Sequence, residues 1–209
     1  MHEKSPKTVN LALFDFDGTL CDKDSFTGFI FFSLKPMHII RRGLKILPWI
    51  LAYYCKLYPA SKMRPKLYAT MFRNQPSTKI ESLAKQYSQQ LQSTLNPSLF
   101  KQLKEHQKNG DRVVLVSASL DLYLTPLCEA LNIDLICTET EMTHQYLTGH
   151  YSSLDCSHHQ KSMRVLAHYQ LSHYRKIYAY GNHEEDLEML KLADFDYFVG
   201  RDHQLPQVQ

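Results

Sequence analysis

Asp15-Phe16-Asp17-Gly18-Thr19-Leu20 is the densest chemical feature of the 209-residue sequence. On an extended segment, carboxylates two residues apart point to the same side. Gly18 lets the chain turn there, so Asp17 can swing beside Asp15. Two like charges that close need a cation between them, and hard oxygen ligands suit Mg²⁺. Asp-Gly turns are also common at strand ends, so an acidic turn is the plain alternative for that dipeptide. The six-residue string is far rarer, on the order of 10⁻⁴ by chance in a chain this long.

Several elements must position this string. Val9 to Phe14 is a short apolar run that reads as a buried strand ending at Asp15. Similar runs are Arg112 to Val116, entered through Asn109-Gly110-Asp111, then Ile133 to Cys137, Lys176 to Tyr180 and Tyr197 to Val199. Between them lie amphipathic stretches at Pro97 to Lys108, Leu120 to Leu131, Gln160 to Tyr169 and Asp186 to Ala193. Strands alternating with such helices imply βαβ units and a parallel sheet, with ligands beyond the strands' carboxyl ends. Two segments break the alternation. Glu141 to Tyr151 suggests a β-hairpin around Thr148-Gly149. Asp24 to Leu95 is mostly helix-like, with punctuation at Pro36, Pro48, Pro59 and Pro76. At about 70 residues it is too long for a crossover and reads as an inserted helical cap.

The D-x-D-G-[TV] string resembles the first motif of the haloacid dehalogenase-like superfamily of phosphatases and phosphotransferases. Three further motifs of that family find matches in the same order. Ser117 ends the RVVLV run, Lys161 opens a helix, and Tyr180-Gly181-Asn182-His183-Glu184-Glu185-Asp186-Leu187-Glu188-Met189-Leu190 supplies the acidic cluster. The resemblance implies an α/β fold: a parallel-sheet, three-layer core (1–23 and 96–209) with a helical cap (24–95) inserted between the first and second strands. It implies Asp15 as nucleophile, Asp17 as general acid and base, and Ser117 and Lys161 as phosphoryl-binding groups. Mg²⁺ would be held by Asp15, the Asp17 carbonyl, Asn182 and Asp186. Thr19 either binds at the site or caps the turn. The family's fourth motif commonly starts Gly-Asp, so Gly181-Asn182 removes one negative charge from the metal site.

A helical insert at this position is similar to the phosphoserine-phosphatase-like branch. Asp24 stands where that branch carries an acidic substrate contact, and Ser119 where it typically has Gly. Leu147-Thr148-Gly149 and Asp155-Cys156 look more like subfamily IB hydrolases, including C-type phosphatidylglycerophosphatase. The substrate expectation is therefore a small phosphomonoester or a phospholipid headgroup phosphate. Arg64 and Lys66 would bind a substrate anion or form a solvated cationic face. A non-catalytic phosphate- or membrane-binding module is the alternative, favoured only by Asn182.

Composition bounds these readings. Hydrophobic residues are 44% and charged residues 22%, which suits a packed domain. A formal charge of +3 gives no case for nucleic acid. Five cysteines without a C-x-x-C pair argue against a disulfide framework and fit a reducing, cytoplasmic setting. The first eight residues, MHEKSPKT, carry no leader pattern. Ser25 to Leu34 and Ile46 to Cys55 are each about ten residues without charge, half of the about 20 that a span needs. They either pack as an ordinary cap or lay one face in a bilayer interface, with Trp49, Tyr53 and Tyr54 at headgroup level and the basic residues on anionic lipid. The second reading would make the protein peripheral at the inner face of a membrane.

Overall fold

The computed structural model describes residues 9–209. The polar stretch 1–8, where no leader was expected, lies outside the described residues. The strands are β1 (Leu11–Phe14), β2 (Arg112–Leu120), β3 (Asp134–Thr138), β4 (Thr140–Met142), β5 (Leu147–Tyr151), β6 (Ile177–Gly181) and β7 (Phe195–Phe198). Five of them form one parallel sheet in the order β3-β2-β1-β6-β7. The chain runs outward from β1 to β3, then returns to the other side of β1. The strand order thus reverses at β1, and the crevice of the fold opens at that strand's carboxyl end.

Both faces of the sheet are covered, which explains the continuous apolar runs. Alternate residues go to opposite layers. Ala12, Phe14, Val113, Leu115, Tyr178 and Tyr180 face one core with α5 (Pro97–Asn109) and α6 (Asp121–Leu131). Leu11, Leu13, Val114, Val116, Ile177 and Ala179 face the other, with α7 (His159–His168) and α8 (Leu187–Leu190). Asn96 caps α5 by accepting from the amides of Ser98 and Leu99, and Gly110 ends it in the left-handed region.

Between β1 and β2 stand α1 (Ser25–Ser33), α2 (Pro36–Tyr54), α3 (Ala60–Phe72) and α4 (Ser77–Gln92). Pro36 lies at a helix start, and Pro59 and Pro76 directly precede one, as punctuation should. Pro48 differs, because α2 continues through it. Its position is exposed, so the carbonyl it deprives of an amide partner can meet solvent. The two apolar segments also part company. In α1, Ser25, Phe26, Phe29, Ile30 and Ser33 are buried, and Phe29 stacks on Phe72 of α3. In α2 only Ile46 is buried.

The antiparallel pair β4–β5 is the expected hairpin, but its turn is elsewhere. Thr143 and Tyr146 close it, and Thr148-Gly149 lies inside β5. Gly149 has φ +82°, and a Cβ there would stand 2.8 Å from the Arg73 Cβ. The glycine marks a close approach between β5 and the end of α3, which the turn-like dipeptide disguised. The hairpin is bound to the cap through Asn74 N to Leu147 O (2.9 Å) and Ser77 N to Gln145 O (3.0 Å).

Candidate active site

The β1 chain end delivers Asp15 to the crevice with its amide donating to Tyr180 O of β6 at 2.9 Å. Its carboxylate is buried, accepting from the Thr19 hydroxyl at 3.0 Å and from Lys161 Nζ. Gly18 has φ +79°, and a Cβ on it would overlap the Asn182 side-chain amide at 2.0 Å. The glycine of the first motif thus allows both the turn and the approach of the fourth motif.

Asp17 is held apart from this pair. Its carboxylate accepts from the Ser25 amide at 2.6 Å and from the Ser119 hydroxyl. Ser25 is itself fixed, with its hydroxyl 3.1 Å from both Ser119 Oγ and Tyr123 OH and its carbonyl accepting from Tyr87 OH at 2.9 Å. Ser25, Tyr87 and Tyr123 escaped the sequence reading, since nothing in their types or spacing sets them apart.

Lys161, in the first turn of α7, is fully enclosed and bonds to Asp15 and to Asp186, the latter at 2.6 Å. Asp186 also accepts from the Asn182 and His183 amides, both at 3.0 Å. Gly181 permits this turn, because a Cβ there would stand 2.7 Å from the Asp186 Cβ. Ser117 lies within β2, not at its end, since the strand continues with a register shift to Leu120. Its Oγ accepts from the Ser119 amide at 3.0 Å.

Burial pushes the Asp15 carboxyl up to about 7, with Lys161 opposing and Asp186 and Asp17 reinforcing. Burial also raises Asp17, against the bonds from Ser119 and Ser25. Burial works against the Lys161 charge, but Asp15 and Asp186 outweigh it and hold the ammonium above its ordinary value. Asp186 lies below the carboxylate range: burial opposes this, and Lys161 and the two amides prevail.

Two carboxylates, Asp15 and Asp186, therefore meet one buried ammonium, with the Asp17 carboxyl nearby, a balance that a divalent cation would correct. Among the described residues no three His, Cys, Asp or Glu form a ready-made metal cage. Mg²⁺ does not require one, because it keeps waters and takes one or two carboxylates plus substrate phosphate. The all-oxygen set of Asp15, the Asp17 carbonyl, Asn182 and Asp186 fits that ion.

Asp15, Asp17, Ser117, Ser119, Lys161, Asn182 and Asp186 all line a cleft of roughly 770 Å³ between core and cap. The other expected residues have visible partners. Thr19 donates to Asp15 and also stands 3.1 Å from Asn182 Oδ1. Asp24 caps α1, accepting from Thr27 N and Oγ1 at 2.9 and 2.8 Å, though it borders the cleft. Ser119 is committed to Asp17. Arg64 is no solvated cation: it forms two 2.8 Å bonds to Asp155 and one of 3.0 Å to Glu185. Its charge is neutralised by these core carboxylates and ties α3 to the catalytic loops. Of the cap's contribution to the cleft, Ile30, Ile39, Ile50, Met63 and Leu67 are apolar.

A buried carboxylate paired with a buried ammonium, and a second carboxyl with its own support, thus gather at the sheet's switch point. The chain belongs to the haloacid dehalogenase-like hydrolase family, whose profile matches residues 12–191. It is 27% identical over 191 residues to "Protein CicA" of Caulobacter vibrioides, covering 88% of this chain and 83% of that protein. Its fold is similar to a protein of unknown function from Bordetella pertussis Tohama I (TM-score 0.72, 21% identity, 90% and 89% covered). It is also similar to a probable phosphoserine phosphatase from Vibrio cholerae (TM-score 0.68, 17% identity, 91% of this chain and 55% of that one).

Proposed function

We propose that the protein is a Mg²⁺-dependent phosphomonoester phosphatase that works through an aspartyl-phosphate. The observation that carries this reading is the division of labour between the two carboxylates. Asp15 is tied to Lys161, while Asp17 has an independent cradle in Ser25 and Ser119.

In the first step an Asp15 oxygen attacks phosphorus and the bond to the leaving oxygen breaks. Asp17, whose pKa burial raises, gives its proton to the departing alkoxide. In the second step a water attacks the same phosphorus, Asp17 takes its proton, and inorganic phosphate leaves with Asp15 restored. Lys161 and the Ser117 hydroxyl bind the phosphoryl oxygens. Bound Mg²⁺, held by Asp15, the Asp17 carbonyl, Asn182 and Asp186, would neutralise the charge of the transferring group.

The substrate is a small phosphomonoester or a phospholipid headgroup phosphate. The apolar cap wall favours a leaving group with hydrocarbon, and the neutralised Arg64 offers no free charge for a second anion. A cytoplasmic setting is supported by the unpaired cysteines Cys21, Cys55, Cys128, Cys137 and Cys156.

Phosphate release from an aryl phosphate with Mg²⁺ tests the proposal. Release should require the metal and vanish in Asp15→Asn. Wild type and Asp15→Asn equally inert across soluble phosphomonoesters and phosphatidylglycerophosphate would overturn it.

A further inference from the structure

The cap hides a strong separation of charge. Between Asp24 and Glu81 there is no acidic residue, yet ten Lys and Arg fall there. All 21 Asp and Glu of the chain lie outside that segment, so its local charge is strongly positive although the total is only +3.

Within it, α2 presents an uncovered apolar stripe. Met37, Ile40, Leu44, Leu47, Leu51 and Tyr54 recur at alternating spacings of three and four and so share one helix face. All six are exposed, Leu44 at 66% and Tyr54 at 77%. The opposite face, with Ile39, Ile46 and Ile50, is the one packed on the core. Arg41 and Lys45 flank the stripe, and Lys66 of α3 lies 4.4 Å from the Trp49 ring. Phe31 and Leu57, at 68% and 81% exposure, extend the apolar area beyond the helix ends.

We infer that this face docks on the surface of an anionic lipid bilayer. The charge pattern chooses the occupant. An apolar stripe edged by cations sinks its side chains among acyl chains and leaves its cations on the headgroups. A second copy of the chain would bring two basic faces together, which like-charge repulsion opposes. Among the described residues no helix is long and apolar enough to cross a membrane, so the contact lies in the interface. The inference stands apart from the phosphatase reading, because it uses residues outside the catalytic group. Its consequence for that site is positional: Tyr54 belongs to both the stripe and the cleft lining, while Ile39 and Ile50 line the cleft from the other face of α2, so docking would hold the cleft one helix away from the lipid.

Vesicle flotation of the full chain tests this. The wild type should float with phosphatidylcholine–phosphatidylglycerol vesicles and far less with phosphatidylcholine alone, and added salt should weaken the binding. Trp49, the single tryptophan, should shift its emission to the blue on binding. Leu44→Glu with Leu51→Glu, both exposed positions outside the cleft, should remain unbound while melting as wild type. Arg41→Gln with Lys45→Gln should weaken binding about thirtyfold. Asp15→Asn should float as wild type does, whatever its catalytic defect. Absence of flotation with the anionic vesicles overturns the inference, as does a Leu44/Leu51 variant that still floats. It also fails if the wild type sediments as a dimer that this variant dissolves and does not bind vesicles.

Discussion

At the scale of single residues, Lys161 is the keystone of the site. Among the described residues it is the one ammonium touching two buried carboxylates, Asp15 and Asp186. Breaking such a buried set leaves uncompensated charge, which costs about 3–5 kcal/mol. Lys161→Met should therefore lower the melting temperature as well as abolish turnover, whereas a purely chemical role would leave the melt unchanged. Ser119 gives a subtler test. Burial raises the Asp17 pKa and the Ser119 hydroxyl lowers it, so Ser119→Ala should raise it further. If Asp17 acts as the proton donor, it must be protonated in the first step, so the alkaline limb of the pH–rate profile should move to higher pH. The Ser25 amide still holds the carboxyl in place, so stability should fall by only about 1–2 kcal/mol. An unmoved alkaline limb would remove Asp17 from the acid role.

At the scale of elements, the legibility of the sequence followed the reach of its forces. The sheet strands were legible because both faces are buried and their apolar runs are continuous. Asp15, Asp17, Lys161 and Asp186 were legible because each stands at a strand end or helix start, where local signals are strong. The Ser25 cradle was not, because Ser25, Tyr87 and Tyr123 meet only through the packing of α1, α4 and α6. The hairpin turn was misplaced for a related reason. Gly149 has the composition of a turn, but the backbone freedom it supplies serves a contact with α3, far away in sequence. That reading makes its own prediction. Gly149→Ala adds a Cβ in a left-handed conformation against the Arg73 Cβ and the Ala69 Cα, at 2.8 and 3.3 Å. The left-handed conformation alone costs about 1–2 kcal/mol. The variant should also loosen the cap, measured as faster amide exchange at Asn74 and Ser77, whose amides pair with the hairpin. Unchanged exchange there would mean that β5 and α3 do not depend on each other.

At the scale of the whole molecule, a buried polar chain on the far side of β1 from α7 joins the sheet to the C-terminal segment. His106 of α5 lies 2.7 Å from Asp111 Oδ2 through Nδ1 and 2.8 Å from Tyr180 OH through Nε2. Gln102 donates to the same phenol at 2.9 Å and to Pro206 O at 2.7 Å. Tyr180 stacks on Phe14 of β1 at 4.3 Å, next to the strand end that carries Asp15. Burial lowers the His106 pKa, with Asp111 opposing, so the imidazole stays neutral: Nδ1–H donates to Asp111 and Nε2 accepts from Tyr180. The sign of the pH effect follows. In the unfolded chain an ordinary histidine takes up a proton below about pH 6.5, while folded His106 resists until lower pH. Its contribution to stability is thus complete above about pH 6.5 and declines as the pH falls toward the folded value. Raised carboxyls such as Asp17 and Asp121 work in the opposite direction, so wild-type melts alone would mix the two. His106→Gln separates them. It should lower stability at neutral pH by about 1–3 kcal/mol, the cost of leaving buried partners poorly satisfied. The gap between wild type and variant should then narrow on acidification, because only the wild type loses the histidine contribution. A gap that stays constant from about pH 8 to about pH 5 would mean that folded His106 takes up its proton as readily as an unfolded histidine, and a gap that widens would mean that the fold holds it charged; either would remove the neutral imidazole from the account of how α5, β6 and the C-terminal segment are joined.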